Sequence, residues 1–356
     1  MNSFFHDIAA IAHHPYIGLI ILSALAFDFI NGFHDAANSI ATIVGTRVLR
    51  PLQAVVWAAF WNFAAMWFFG FHVANAVAKW VHIEYVNPDV IFAGLIGAIV
   101  WNLITWFYGL PSSSSHALLG GLIGSAVTHA TVIAHAMKFR GVLNEIEVWK
   151  TVIFIVLAPL IGLVLGLLFT GIVMWAFRKT TAMKVDRWFR VAQLGSAAAY
   201  SLGHGTNDAQ KTMGIIAALL YARVWTPQQK TAFDGDHHVF PYWIALACFL
   251  TIAVGTMSGG WRIVKTMGMR ITKLRPYDGA CAELAASTSL FLSSSFGIPV
   301  STTHTITGAI VGVGAVQRLS AVRWGVARQV VWAWVLTIPC SAVVASISYW
   351  IITRFR

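Results

Sequence analysis

Long apolar runs, each able to cross about 30 Å of hydrocarbon as a helix, succeed one another along almost the whole chain, separated by short polar stretches. In the first half they cover about 17–44, 52–78, 90–135 and 148–177; in the second, about 188–220, 242–258, 280–313 and 329–352. Helix-breaking residues interrupt the first and third run of each half, at Asn31-Gly32 and Gly109-Leu110-Pro111, then at 203–205 and Gly297-Ile298-Pro299. Each half therefore reads broken, plain, broken, plain. Lipid offers no partners to the backbone, so runs of this length are helices. The pattern predicts an all-α polytopic membrane protein of two repeats, 1–177 and 178–356, each with a broken helix and a re-entrant-type helical hairpin.

The polar residues that do lie inside the runs are duplicated. Gly32-Phe33-His34-Asp35-Ala36-Ala37-Asn38 is matched 173 positions later by Gly205-Thr206-Asn207-Asp208-Ala209-Gln210-Lys211. An aspartate at mid-membrane costs about 2.5–3.5 kcal/mol on insertion scales, so two in equivalent places imply a polar site where the halves meet. A second pair follows in the same order: Gly109-Leu110-Pro111-Ser112-Ser113-Ser114-Ser115-His116 matches Gly297-Ile298-Pro299-Val300-Ser301-Thr302-Thr303-His304, with Gly120 and Gly124 matching Gly308 and Gly312.

Charge sets the orientation. The net charge of +11 would suggest nucleic acid in a soluble chain, but 58% of these residues are hydrophobic, mean hydropathy is +0.72, and most Lys and Arg fall between the apolar runs. Nucleic-acid binding is set aside on that ground, and the cations act as topology signals. If each hairpin enters and leaves on one side, fifteen Lys and Arg fall on one face and eight on the other, with Lys211 inside the membrane. The richer face is cytoplasmic, so the first half starts outside, the second starts inside, and the repeats are inverted. Arg354 and Arg356 fall on the wrong side of this arrangement. The first run is preceded by His6, Asp7, His13 and His14 and by no Lys or Arg, so it does not read as a cleavable signal. Cys248, Cys281 and Cys340 have no metal-like spacing and read as packing residues.

Chemistry is concentrated at the breaks. Gly-x-Pro followed by Ser113, Ser114 and Ser115, or by Ser301, Thr302 and Thr303, ends one helix and starts another, offering hydroxyls, free N–H groups and the positive end of a helix dipole. Two such ends from inverted repeats form a cradle for a tetrahedral oxyanion. Serines that only bond back to their own helix are the plainer reading, and duplication weighs against it. Asp35 and Asp208 would repel an anion, so they suit the coupling ion: a proton, or Na⁺ with both acids as metal ligands. Lys211 lies three residues after Asp208 and either neutralises it or contacts the anion; His34, His116 and His304 are relay or donor candidates.

The paired Gly32–Asn38 and Gly205–Lys211 segments, with the two Pro-Ser/Thr-His hairpins, resemble the PiT family of inorganic phosphate transporters over about residues 20–350. The resemblance implies cation-coupled symport of inorganic phosphate, with Asp35, Asn38, Asn207 and Asp208 as motif residues and Ser113–Ser115 and Ser301–Thr303 at the hairpin tips. His34, Gln210 and Lys211 depart from that family's usual residues and favour H⁺ over Na⁺. The expectation is a symporter importing phosphate by alternating access in the inner (plasma) membrane, in contact with lipid, with no cofactor and room for a homodimer. The long central loop of larger members is absent, so regulation would need a separate cytoplasmic protein. Sulfate or another tetrahedral anion is the alternative cargo. An intramembrane hydrolase using Ser115-His116 or Thr303-His304 is a remote one, because adjacent helical residues point about 100° apart.

Overall fold

The computed structural model describes residues 2–134, 141–235 and 240–355. In chain order the helices are α1 (Asn2–His13), α2 (Pro15–Gly45), α3 (Pro51–Ala64), α4 (His72–Ala78), α5 (Pro88–Tyr108), α6 (Ser114–Ala134), α7 (Glu145–Ala176), α8 (Ala182–Arg223), α9 (Pro227–Gly235), α10 (Tyr242–Ser258), α11 (Trp261–Lys265), α12 (Pro276–Ser295), α13 (Thr302–Gln317) and α14 (Trp324–Phe355). Four of them, α2, α5, α7 and α14, are by themselves long and apolar enough to cross a membrane, and counting each of two bent pairs as one span raises the number to six. The apolar faces of α7 and α14 stay largely uncovered by protein, as lipid-facing surface does.

The breaks expected at Asn31-Gly32 and at 203–205 are not there: α2 and α8 run through both without interruption. The bends fall in the second unit of each half, which reads as plain in the sequence. The axis turns by 84° between Pro51–Trp67 and His72–Ala78, and by 60° between Tyr242–Ser258 and Trp261–Arg270. The glycines beside the aspartates serve close approach instead. A Cβ on Gly32 would collide with the Ile252 carbonyl of α10, and one on Gly205 with the Asn62 backbone of α3. At the first bend Gln210 of α8 caps α4: its Oε1 accepts from the Val73 and Ala74 N–H groups at 3.0 and 3.2 Å, and its Nε2 donates to the Gly70 carbonyl at 2.8 Å. At the second, Gly259 takes a φ of +69°, in the left-handed region that favours glycine.

Both hairpins form as expected. α5 ends at Gly109 (φ 66°), and after α12 the chain turns at Gly297 (φ 67°). The return helices α6 and α13 are each capped by a serine: Ser113 Oγ accepts from His116 N at 3.3 Å and Ser301 Oγ from His304 N at 3.2 Å. Last helices are exchanged between the halves, since α14 packs on α5 and α6 while α7 packs on α12 and α13. Matched small residues make the seams. Gly120 and Gly124 meet the Ile338 and Ala342 backbones beside Pro339, and Gly308 and Gly312 meet Pro159 and Leu163.

The equivalent helices α2 and α8 lie antiparallel. Thr212 in the later part of α8 bonds Asp28 near the middle of α2 at 2.9 Å, and Thr46 just after α2 bonds Gln193 in the earlier part of α8 at 2.9 Å. Two apolar clusters flank the middle of this pair, one containing Phe27, Leu118, Met213 and Phe249, the other Ile40, Tyr200, Leu290 and Ile310. The duplicated acids lie between the two clusters.

Candidate functional site

Each aspartate sits on a helical face marked at −4, −1 and +3: Asn31, His34 and Asn38 around Asp35, and His204, Asn207 and Lys211 around Asp208. All eight side chains are buried, at 2% exposure or less. The hairpin tips meet them in the same way in both halves. Ser114 Oγ donates to Asp35 Oδ2 at 2.7 Å and lies 2.5 Å from Asn31 Oδ1; Thr302 Oγ1 donates to Asp208 Oδ2 at 3.2 Å. The next hydroxyl along each tip is reached from the opposite half. Lys211 Nζ donates to Ser115 Oγ at 2.5 Å, and Asn38 Nδ2 donates to Thr303 Oγ1 at 2.8 Å. The −1 residues turn to the outgoing hairpin helices: His34 Nε2 lies 3.0 Å from Thr105 Oγ1 of α5, and Asn207 Nδ2 donates to Ser294 Oγ of α12 at 3.2 Å.

In fixed charge the two copies differ at one position, +3. Asn38 is neutral, whereas Lys211 carries its charge into the core, 2.6 Å from Asp208 Oδ1, and also donates to the Val300 carbonyl at 2.8 Å. Buried charges persist where they are paired and hydrogen-bonded, which both members of this pair are. Asp35 has His34 Nδ1 at 2.7 Å, and Asp208 has His204 Nε2 at 3.3 Å. Ligand atoms of Asp35, His204 and Asp208 all lie within 4.8 Å of one another, so the acids converge on one centre and this trio is the group able to hold a metal ion among the described residues. Behind the tips the rings of His116 and His304 touch edge to face, centroids 4.6 Å apart, and Trp334 stacks on His304 at 3.8 Å.

The phosphate transporter family profile matches residues 31–345, nearly the whole of this arrangement. The chain belongs to the phosphate transporter family. It is 52% identical over 342 residues to a Rhizobium meliloti protein named "Probable low-affinity inorganic phosphate transporter", covering 96% of this chain and 97% of that one. A Bacillus subtilis protein of the same name is 43% identical over 339 residues, covering 94% and 96%. A solved structure described as "The sodium-dependent phosphate transporter" superposes with a TM-score of 0.80 at 24% identity, over 96% of this chain and 100% of that one, so the fold is shared.

Of the residues predicted for this transporter's site, Asp35, Asp208, Lys211, Asn38, Ser114, Ser115, Thr302 and Thr303 come together at one centre: Ser114 bonds Asp35, while Asp208, Lys211, Ser115, Thr302, Asn38 and Thr303 form a second bonded set beside it. Ser113 and Ser301 are helix caps at its edge, His34 bonds Asp35, and Asn207 turns away to Ser294. Neither Ser115-His116 nor Thr303-His304 forms a nucleophile–base pair: Ser115 accepts from Lys211, Thr303 from Asn38, and His304 Nδ1 lies 3.3 Å from the Ile155 carbonyl. Sequence reasoning missed Asn31 and His204, both four residues before an aspartate and so on its helical face; both were read only as parts of breaks, at Asn31-Gly32 and at 203–205. It also missed Glu283 of α12, buried and bonded by Thr42, Gln193 and Ser196 at 2.5, 3.1 and 2.5 Å. No duplicated motif marks that position.

Proposed function

We propose that this chain is a proton-coupled symporter that imports inorganic phosphate across the inner (plasma) membrane by alternating access. The observation that carries the reading is that the two duplicated acids meet at one buried centre and each is already engaged by nitrogen, Asp35 by His34 and Asp208 by Lys211 and His204. With those positions filled by groups that bind protons, the natural ion to enter and leave is H⁺. Phosphate is held between the hairpin tips, by the hydroxyls of Ser114, Ser115, Thr302 and Thr303 and the N–H groups that start α6 and α13, with Lys211 as counter-charge. Asn38 positions the second tip through Thr302 and Thr303, and Asn207 holds the outgoing helix α12 through Ser294. The halves 1–177 and 178–356 act as inverted repeats that expose this centre alternately, a reading supported by the antiparallel α2 and α8.

Sodium is the second reading, supported by the convergence of Asp35, His204 and Asp208 and by the sodium dependence ascribed to the structural neighbour. Uptake of labelled phosphate into proteoliposomes, with pH and Na⁺ gradients imposed separately, distinguishes the two. Accumulation driven by the pH gradient without Na⁺, and lost in Asp35→Asn and Asp208→Asn, is the expected result. Accumulation that requires Na⁺ refutes proton coupling, and wild-type uptake by both variants refutes the role of the acids.

A further inference from the structure

Asp28 is a buried acid that the central site does not use. It is fully enclosed, one of its oxygens accepts from Thr212 Oγ1 at 2.9 Å, and its Oδ2 has no hydrogen-bond partner among the described residues. An enclosed carboxylate with one donor and no cation is costly to keep ionised, so the group that fits this environment is the neutral acid, Oδ1 accepting and Oδ2 bearing the proton.

Its position gives that proton somewhere to go. Asp28 lies seven residues before Asp35 on α2, about 10.5 Å along the axis and on nearly the same face. Its partner Thr212 lies four residues after Asp208 on α8, again on one face. Asp28 is therefore poised above the central acids at the N-terminal side of α2, which charge places toward the outside.

The other charged and titratable groups leave it without a competing partner. Lys211, the cation nearest in sequence to Thr212, is turned to Asp208, Ser115 and Val300. α10 brings the buried thiol of Cys248. α3 has no titratable residue, and α5 has none between Asp89 and Tyr108. Asp7 of α1 is bonded to Gln229 and Trp243, and Asp89 to Tyr16. Glu283 is bonded near the opposite end of α2, by Thr42.

We infer that Asp28 is a proton-binding site on the outer side of the central pair, which takes up the symported proton from outside and passes it to the Asp35–Asp208 centre. In the transfer the Oδ2–H bond of Asp28 breaks and the proton is carried by water entering the space between the two levels to a carboxylate oxygen of the central pair, since about 10.5 Å is too far for one direct hop; Asp28 is left anionic until it is reprotonated from outside. This inference rests on proton coupling but separates from it experimentally.

The test compares wild type, Asp28→Asn and Asp28→Glu in proteoliposomes, measuring phosphate accumulation driven by an inward pH gradient and phosphate–phosphate exchange at equal pH on both sides. The expected result is that Asp28→Asn keeps exchange at the wild-type rate but loses gradient-driven accumulation and the pH dependence of uptake, while Asp28→Glu keeps all three. Asp28→Asn with wild-type accumulation and pH profile overturns the inference and leaves proton coupling standing. Loss of exchange and accumulation together in both variants also overturns it, by showing a packing role. A wild type driven by Na⁺ alone overturns the inference together with the coupling reading.

Discussion

Replacing Lys211 by Met should expose the cost of the charge at the centre of this site. The side chain is 1% exposed, its ammonium lies 2.6 Å from Asp208, and it also serves Ser115 and the Val300 carbonyl. Methionine fills a similar volume but removes every one of these bonds. Asp208 would keep the Thr302 hydroxyl at 3.2 Å and His204 at 3.3 Å, with no fixed positive charge. Breaking a buried ion pair by deleting one partner costs about 3–5 kcal/mol, because the remaining charge stays desolvated and uncompensated. At about 1.4 kcal/mol per tenfold, a penalty of that size in the phosphate-binding state corresponds to a loss of roughly two to three and a half orders of magnitude in affinity. The same cost should lower the melting temperature in detergent, and Asp208→Asn alone should lower it as well, by stranding the ammonium. The double variant Asp208→Asn/Lys211→Met removes both charges, so it should recover much of the lost thermal stability while remaining inactive in uptake. Melting curves of the four proteins and phosphate uptake at matched reconstitution supply the cycle. Additive losses of stability in the double variant would show that the pair is not coupled in the fold, and wild-type phosphate affinity in Lys211→Met would show that its charge does not serve binding.

Ser114→Ala and Thr302→Val should each raise the KM for phosphate by about tenfold or more, since a hydrogen bond to a charged acceptor contributes roughly 1.5–3 kcal/mol, and an unchanged KM with lower stability would make the tips scaffold only. Gly308→Leu should destabilise the protein by at least about 1–3 kcal/mol, because its Cβ would meet the Pro159 backbone at the α13–α7 seam, and an unaltered melting temperature would show that this seam is loose. With the native cysteines replaced, cysteines introduced in 178–190 and 262–275 should resist an impermeant thiol reagent in intact cells, and cysteines in 228–235 should react. Labelling of 178–190 and 262–275 from opposite faces would break the inverted arrangement.

Duplication and hydrophobicity are local properties, and they sufficed for much of this protein. The run lengths dictated helices at membrane depth, the repeat of Asp35 at Asp208 marked a shared polar centre, and the Gly-x-Pro-Ser/Thr pattern specified both hairpins down to the serine caps at Ser113 and Ser301. What a glycine does depends on its neighbours in space, and there tertiary structure decided. Gly32 and Gly205 read as breaks but are contact points for α10 and α3, while the actual bends follow Trp67 and Ser258, the first held by Gln210 from a distant helix. The exchange of α7 and α14 between the halves, and the isolation of Asp28 with a single hydroxyl partner, were equally beyond local reading. They arise from pairings between residues far apart in the chain, such as Asp28 with Thr212 at a separation of 184 positions, which a one-dimensional pattern does not encode.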